Sequence, residues 1–157
     1  EYEFDVQVAR APPIADVVVA LHVDPGISKP TELHVVAPFG FNFSYGCLIS
    51  PAAEIMSCNP GEPMEDGRAV AILMVVEEGL LAKPQDLRIR VNTPAQTPVA
   101  PQWYIQGIDT NSGLQLGWGE TPGFEIYPMA DIFGLYPGIP GERARMVWRF
   151  RVQVLVQ

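Results

Sequence analysis

Proline is spread along the whole chain, and this distribution constrains the fold more than any other feature. The sequence contains 16 prolines and 14 glycines among 157 residues, so its proline content is about twice the average usage. Long helices are excluded because proline lacks a backbone donor and its ring clashes with the preceding helical turn. Since 48% of the residues are hydrophobic, a packed core is available. The chain is therefore predicted to fold into strands.

Alternation of apolar and polar residues predicts an all-β, Ig-like antiparallel sandwich of about eight to ten strands. The strongest pattern lies in Met146–Gln157, where every second residue is apolar, and Glu1–Val8 alternates in the same way. The only helix candidates are Glu77–Lys83 and Met129–Leu135, of one or two turns each. Arg68–Val76 is apolar at every position after Arg68, and it is predicted to be a strand buried on both faces. The other predicted strands are Asp16–Val23, Glu32–Ala37, Asp86–Asn92, Gln102–Ile108, Leu114–Trp118 and Phe124–Tyr127.

Cysteine usage indicates an oxidising, extracellular compartment. Cys47 and Cys58 are the two cysteines, and the loop between them, with Ser50-Pro51-Ala52-Ala53, can close into one disulfide. The alternative is a pair of buried free thiols. Asn42-Phe43-Ser44 is an N-glycosylation acceptor sequence, so Asn42 is a candidate glycosylation site. Together these features favour a glycoprotein that lies outside the cell or on its surface.

Charge and hydropathy exclude several classes of partner. The formal net charge is −8, which repels the phosphate backbone of nucleic acids and the headgroups of anionic membranes. No apolar run reaches the roughly 18 residues of a membrane helix, so membrane insertion is not expected. The chain begins within a strand-like segment without a methionine, and we expect it to be a processed or excised piece.

The reactive residue types form no recognised catalytic or metal-binding motif. His22 and His34 stand alone in strand-like runs, where a packed or edge imidazole is the usual interpretation. The serines lack the glycine-flanked elbow of a hydrolase, and no phosphate-binding glycine motif occurs. We therefore predict no catalytic residue, no cofactor and no metal, and the chain is not expected to be an enzyme.

Two acidic loops raise the question of calcium. Asp109, Asn111 and Gly113, with Glu120, resemble a calcium loop, but Leu114 occupies the position where such a loop needs glycine. A hairpin turn is the preferred interpretation. The acidic loop with Glu62, Glu65 and Asp66 is interpreted as solvated carboxylates on a turn.

The three tryptophans have different interpretations. Trp103 and Trp148 lie in the core-facing phase of their strands. Trp118 stands between two glycines, and two interpretations remain open for it: packing over a loop, or an exposed platform on which a sugar could stack.

The order of several turn signatures also suggests a family. Ala37-Pro38-Phe39-Gly40-Phe41 precedes Cys47, Cys58 precedes an apolar strand, and then follow Asn92-Thr93-Pro94, Thr97-Pro98 and Trp103. Over about residues 16 to 108 this succession resembles the Ig-like β-sandwich repeats of very large extracellular proteins of dinoflagellate-type protists. The resemblance implies a surface, wall or filament role without catalytic residues.

We predict that residues 1–157 form a single Ig-like domain that serves as a subunit or tandem repeat of a structural surface fibre. Its terminal strands, Glu1–Val8 and Met146–Gln157, would pair with copies of itself or with neighbouring repeats, because amphipathic edge strands accept strand addition. Both ends carry Phe-x-Val-Gln-Val, as expected if the chain were cut from a tandem array. The apolar residues of these assembly strands are Tyr2, Phe4, Val6, Val8, Trp148, Phe150, Val152 and Val154.

Two other functions are alternatives to a structural role. A carbohydrate- or protein-binding adhesion module, with glycans as partners, would need Trp118, Tyr104, Tyr127 or Tyr136 exposed on one face. A hydrolase would need distant carboxylates such as Glu120 and Glu125, for which the sequence carries no signature.

Overall fold

The computed structural model describes residues 1–8, 10–50, 55–75 and 84–127, and the backbone of two further strands at 131–135 and 147–151. These residues form 13 strands and no α-helix. None of them belongs to a helix long and apolar enough to cross a membrane. The strands are β1 (Glu3–Val6), β2 (Arg10–Ala11), β3 (Asp16–Asp24), β4 (Glu32–Val36), β5 (Leu48–Ser50), β6 (Ile55–Pro60), β7 (Val70–Val75), β8 (Gln85–Asn92), β9 (Gln102–Asp109), β10 (Leu114–Pro122), β11 (Glu125–Ile126), β12 (Asp131–Leu135) and β13 (Val147–Arg151).

Two antiparallel sheets dominate the architecture. One has four strands in the order β1-β3-β8-β5, and the other has five in the order β10-β9-β4-β7-β6. β2 and β11 form a short parallel pair, and β12 pairs with β13 in an antiparallel two-stranded sheet. The predicted fold class, an all-β Ig-like antiparallel sandwich with one disulfide, is confirmed. The strands outnumber the prediction because β2 and β5 have only two or three residues, too few to show alternation, and because β6 and β12 were not predicted as strands.

The chain divides into two compact units, Glu1–Tyr127 and Pro128–Gln157. The first unit contains both large sheets, and the second contains the β12–β13 ribbon. The expectation of a single domain over residues 1–157 remains a prediction.

Alternate residues of the two large sheets point inward and form one apolar core. β3 contributes Val19, Leu21 and Val23, and β8 contributes Leu87, Ile89 and Val91, all at most 1% exposed. From the five-stranded sheet, the fully buried Trp103 confirms its predicted core position. Its ring lies 5.3 Å from Phe41 and 6.1 Å from Phe124 between ring centroids. These edge-to-face and offset contacts add specificity to the burial of apolar area.

A disulfide closes one open side of the sandwich. Cys47 immediately precedes β5, an edge of the four-stranded sheet, whereas Cys58 lies in β6, an edge of the five-stranded sheet. The two residues form the predicted disulfide, and the Cys47 N–H also donates to the Cys58 carbonyl at 2.9 Å. The bond therefore links the two sheets directly.

Tyr2 closes the opposite side, where β1 and β10 are the neighbouring sheet edges. Its N–H donates to the Trp118 carbonyl at 2.7 Å, and its ring lies against Gly107 and Gly117, where an added Cβ would overlap the ring. Its hydroxyl accepts a hydrogen bond from Ser28 Oγ at 2.8 Å. Burial raises the pKa of the Tyr2 phenol above its ordinary value, and the Ser28 hydrogen bond partly offsets this rise.

The helix prediction for Met129–Leu135 is wrong where the structure describes it. Asp131–Leu135 is strand β12, paired with β13 from Asp131 opposite Arg151 to Leu135 opposite Val147. Gly134 weakens a helix locally, and pairing with a strand distant in sequence supplies the backbone hydrogen bonds that a short helix would otherwise provide. The other helix candidate, Glu77–Lys83, lies outside the described residues.

The prediction that Arg68–Val76 is buried on both faces is only half right. Within β7, Ala71, Leu73 and Val75 point into the core. On the other face Met74 is 38% exposed and Ile72 is half-buried. This outer face is the surface described below.

Reducing the disulfide should lower the free energy of unfolding by about 2–4 kcal/mol, because an open loop enlarges the unfolded ensemble. The measurement is urea unfolding of the wild type with and without reductant. The double variant Cys47→Ser/Cys58→Ser should already be less stable, and reductant should not change it. Equal stability of wild type with and without reductant, with both thiols shown to be alkylated, would contradict this expectation.

Gly117→Ala should destabilise the protein by about 1–3 kcal/mol, because its methyl group overlaps the Tyr2 ring. In a Tyr2→Ala background the same substitution should cost much less, since the ring is gone. A double-mutant cycle based on denaturant unfolding measures this coupling. An equal cost in both backgrounds would show that the Tyr2 ring does not restrict position 117.

Candidate functional site on the outer face of the five-stranded sheet

The outer face of the five-stranded sheet presents an aromatic, amide and imidazole row across four strands. Strand registers place Trp118 on β10 opposite Gln106 on β9, Gln106 opposite His34 on β4, and His34 opposite Ile72 on β7. Adjacent strands lie about 4.8 Å apart, so the row spans roughly 14 Å from end to end. The residues come from four separate segments and meet only in the folded sheet.

Local backbone features of β10 turn Trp118 outward. The register shifts between Gln115 and Gly117, so Leu116 is an extra residue opposite β9, as in a β-bulge. After this shift Gly117 and Gly119 face Tyr2 on the inner side. Because side chains alternate along a strand, Trp118 points away from the core, and it is 44% exposed.

The neighbouring row contains the second aromatic residue of this face. Glu120 lies opposite Tyr104, and Tyr104 lies opposite Val36. The guanidinium carbon of Arg68 stands 4.8 Å from the centroid of the Tyr104 ring, a cation–π arrangement. Arg68 Nε also donates to Asp66 Oδ2 at 2.7 Å. The Arg68 backbone N–H, followed by its guanidinium, lowers the pKa of the Asp66 carboxyl.

The β6–β7 loop forms one wall of a cavity on this face. The cavity has a volume of about 260 Å³ and is lined by Val36, Val70, Ile72 and Met64, together with the polar His34, Gln106 and Glu62. His34 Nε2 lies 2.9 Å from Glu32 Oε2. An apolar floor with a few polar groups at its margin is the usual composition of a small-ligand site.

The outer face of the four-stranded sheet has a different character. Its exposed residues are mainly charged and pair with one another across strands. Arg90 Nε lies 3.5 Å from Asp16 Oδ2, and His22 Nδ1 lies 2.8 Å from Asp86 Oδ1. Such exposed pairs are typical of a solvated surface. This sheet also carries a cavity, of about 620 Å³, but the side chains that line it include no aromatic residue: Gln7, Ala20, Leu21, Asp86, Leu87 and Arg88.

The predicted assembly residues occupy two kinds of position. Tyr2, Phe4 and Val6 are buried in the core of their own sandwich, and Val8 is half-buried against it. Trp148 and Phe150 belong to β13, whereas Val152 and Val154 lie outside the described residues. Their role in assembly stays a prediction.

The aromatic residues proposed for a binding module are only partly brought together. Trp118 and the half-buried Tyr104 share the outer face of the five-stranded sheet. Tyr127 is 43% exposed but follows β11 and is not part of that sheet. Tyr136 lies outside the described residues.

The segment from Asp109 to Gly113 is the predicted hairpin turn between β9 and β10. Asp109 accepts hydrogen bonds from Ser112 Oγ at 2.6 Å and from the Asn111 N–H at 3.1 Å, and these bonds lower the pKa of its carboxyl. No group of three His, Cys, Asp or Glu residues in the described part of the chain is placed to hold a metal ion. Glu120 and Glu125 lie on different strands, β10 and β11, and both are exposed.

Sequence reasoning missed Gln106, His34 and Ile72 as partners of Trp118. His34 was interpreted as a packed or edge imidazole, and Gln106 and Ile72 as ordinary strand residues. Their only sequence signal is a position on the outward phase of a strand, and pairing registers were needed to align them.

Comparisons with known proteins find similarity among solved structures. No family model matches the sequence, and no curated protein sequence matches it. Among solved structures, the chain is similar to a non-cellulosomal cohesin from the hyperthermophilic archaeon Archaeoglobus fulgidus, with a TM-score of 0.45 and 12% sequence identity. The match covers 80% of this chain and 91% of the cohesin chain.

Asn42 should carry an N-linked glycan when the chain is secreted from a eukaryotic cell. Asn42 is exposed, and its backbone pairs with Asn92, whose side-chain amide donates to Ser44 Oγ at 3.2 Å. Intact mass spectrometry should show an added glycan mass in wild type and in Ser44→Thr, and its loss in Asn42→Gln and Ser44→Ala. A wild-type mass equal to that of the bare polypeptide would refute the assignment.

Proposed function

We propose that this chain is a non-catalytic β-sandwich module of an extracellular structural protein, a subunit or repeat of a surface fibre. The observation that carries the proposal is the two-stranded sheet β12–β13, in which neither strand pairs with another strand of the described residues. An isolated two-stranded sheet is at best marginally stable in water. A strand contributed by a neighbouring copy would complete it, and the apolar alternation of the segment containing β13 suits strand addition.

The disulfide supports an extracellular location. Disulfides persist in oxidising compartments and are rare in the cytosol. Cys47–Cys58 joins the edges of the two large sheets, so it holds the sandwich together at one side. A module that transmits tension along a fibre benefits from such a covalent link between its sheets.

The burial of the N-terminal strand refines the assembly proposal. Because Tyr2, Phe4 and Val6 are already packed in their own core, they cannot also offer an apolar face to a neighbour. β1 and β5 are the edges of the four-stranded sheet, and a sheet edge is where an added strand would pair. Because the β1 edge already faces β10, where the Tyr2 N–H donates to the Trp118 carbonyl, the proposal assigns strand donation to the C-terminal segment and gives the first strand no receiving role.

The double variant Trp148→Lys/Phe150→Lys tests this assembly mode. Sedimentation velocity and electron microscopy should show fibres or higher oligomers in wild type. In the variant, two added charges on the alternating face of β13 should lower the association constant by about tenfold or more. Arg149→Lys/Arg151→Lys, which keeps the charge of the intervening positions, is the matched control and should assemble normally.

Stability measurements separate an assembly defect from misfolding. Disulfide formation and thermal unfolding of the large sheets should be the same in the variant and in wild type. A wild-type chain that stays monomeric at high concentration contradicts the proposal. So does a double variant that assembles as wild type does.

A second candidate function is a binding module that acts through the outer face of the five-stranded sheet. The specific observation in its favour is the position of Trp118 and Tyr104 in adjacent rows of that face, beside a cavity. Large aromatic side chains are usually buried, so an exposed tryptophan beside a concavity favours a ligand.

A further inference from the structure

Trp118 is 44% exposed, so part of its flat apolar ring is open on the outer face of the five-stranded sheet. Its flanking residues, Gly117 and Gly119, have no side chains and face Tyr2 on the inner side, and the next outward side chain along β10 is that of Glu120. The indole is apolar over its faces and carries one N–H donor at its edge. A ligand with one apolar face and hydroxyl groups around its rim matches this surface.

The side chains that follow Trp118 across the sheet, Gln106 and His34, can both form hydrogen bonds. Gln106, one strand away, offers an amide donor and acceptor, and no side-chain hydrogen bond engages it within the described part of the chain. His34, roughly 10 Å from Trp118 across two strand spacings, pairs with Glu32. These groups can donate to and accept from neighbouring hydroxyls.

The cavity overlaps the row, since Gln106, His34 and Ile72 all line it. Val36, Val70 and Ile72 supply an apolar floor, and Glu62 stands at the margin. The Trp118 ring therefore lies at one end of a line across the strands, and the cavity, with Gln106 and His34 among its lining residues, follows it. This line suits an elongated ligand of several linked rings better than a single small molecule.

Charge selects against anionic ligands. The chain carries a net charge of −8, and this face presents Glu32, Glu62 and Glu120. Arg68 is a cation of this face, and its guanidinium is already engaged by Asp66 and the Tyr104 ring. Phosphates, sulfates and uronates would be repelled.

We propose that the outer face of the five-stranded sheet binds a neutral oligosaccharide, which stacks one ring on Trp118 and runs over Gln106 and His34 into the cavity. The proposal deepens the second candidate function and rests on it. A protein partner fits less well, because protein interfaces have a contiguous apolar centre. Here Gln106 and Glu120 interrupt the apolar surface between Trp118 and Tyr104.

An array of neutral and anionic oligosaccharides, probed with the full disulfide-bonded chain, tests the proposal. Neutral chains of three or more sugars should bind, and titration calorimetry on the best ligand should give an association constant at least tenfold lower for Trp118→Ala. Trp118→Phe should retain part of the affinity because a ring remains. Gln106→Ala should also weaken binding.

Tyr127→Ala is the matched control, since Tyr127 has similar exposure but lies outside the five-stranded sheet. It should bind as wild type does. Unchanged thermal unfolding of each variant excludes loss of the fold as the cause of weaker binding.

Four results would overturn the proposal: no binding to any neutral oligosaccharide, binding to anionic glycans alone, full affinity in Trp118→Ala, or capture of a protein ligand on this face in place of a sugar. Sedimentation of the same samples separates this outcome from that of the fibre proposal. A monomer that binds sugars supports the site and refutes the fibre, whereas fibres without sugar binding do the reverse.

Discussion

The packing of two sheets face to face around Trp103 is the interaction on which the rest of the structure depends. Inward residues of β3 and β8 meet those of β4, β7 and β9, and this burial of apolar area is the main favourable term in folding. Because successive side chains of a strand point to opposite faces, choosing the inner residues also determines the outer ones. The composition of the candidate site follows from the core.

The two open sides of the sandwich are closed by unrelated means. A covalent bond between Cys47 and Cys58 joins β5 to β6 at one side, and Tyr2 packs on glycines of β9 and β10 at the other. The second closure links the core to the candidate site, since Gly117, which receives the Tyr2 ring, directly precedes Trp118. A single stretch of β10 therefore serves stability on its inner face and exposes an indole on its outer face.

Alternation made much of the fold predictable, and its failures have physical causes. β3, β8 and β9 lie close to their predicted bounds because each alternates over a full strand length. Asp131–Leu135 was predicted as a helix because its partner strand, Val147–Arg151, is distant in sequence. The apolar run around Ile72 and Met74 predicted burial on both faces, since hydrophobicity does not distinguish a covered face from an exposed apolar one.

The sequence by itself determined the fold class, the disulfide pair and the core position of Trp103, because proline content, local alternation and two cysteines are properties of neighbouring residues. The candidate site required the tertiary structure. Trp118, Gln106, His34 and Ile72 form one row only through the registers of three strand pairs. A shift of one residue in any pair would turn its side chains to the other face, and register is set by packing between segments distant in sequence.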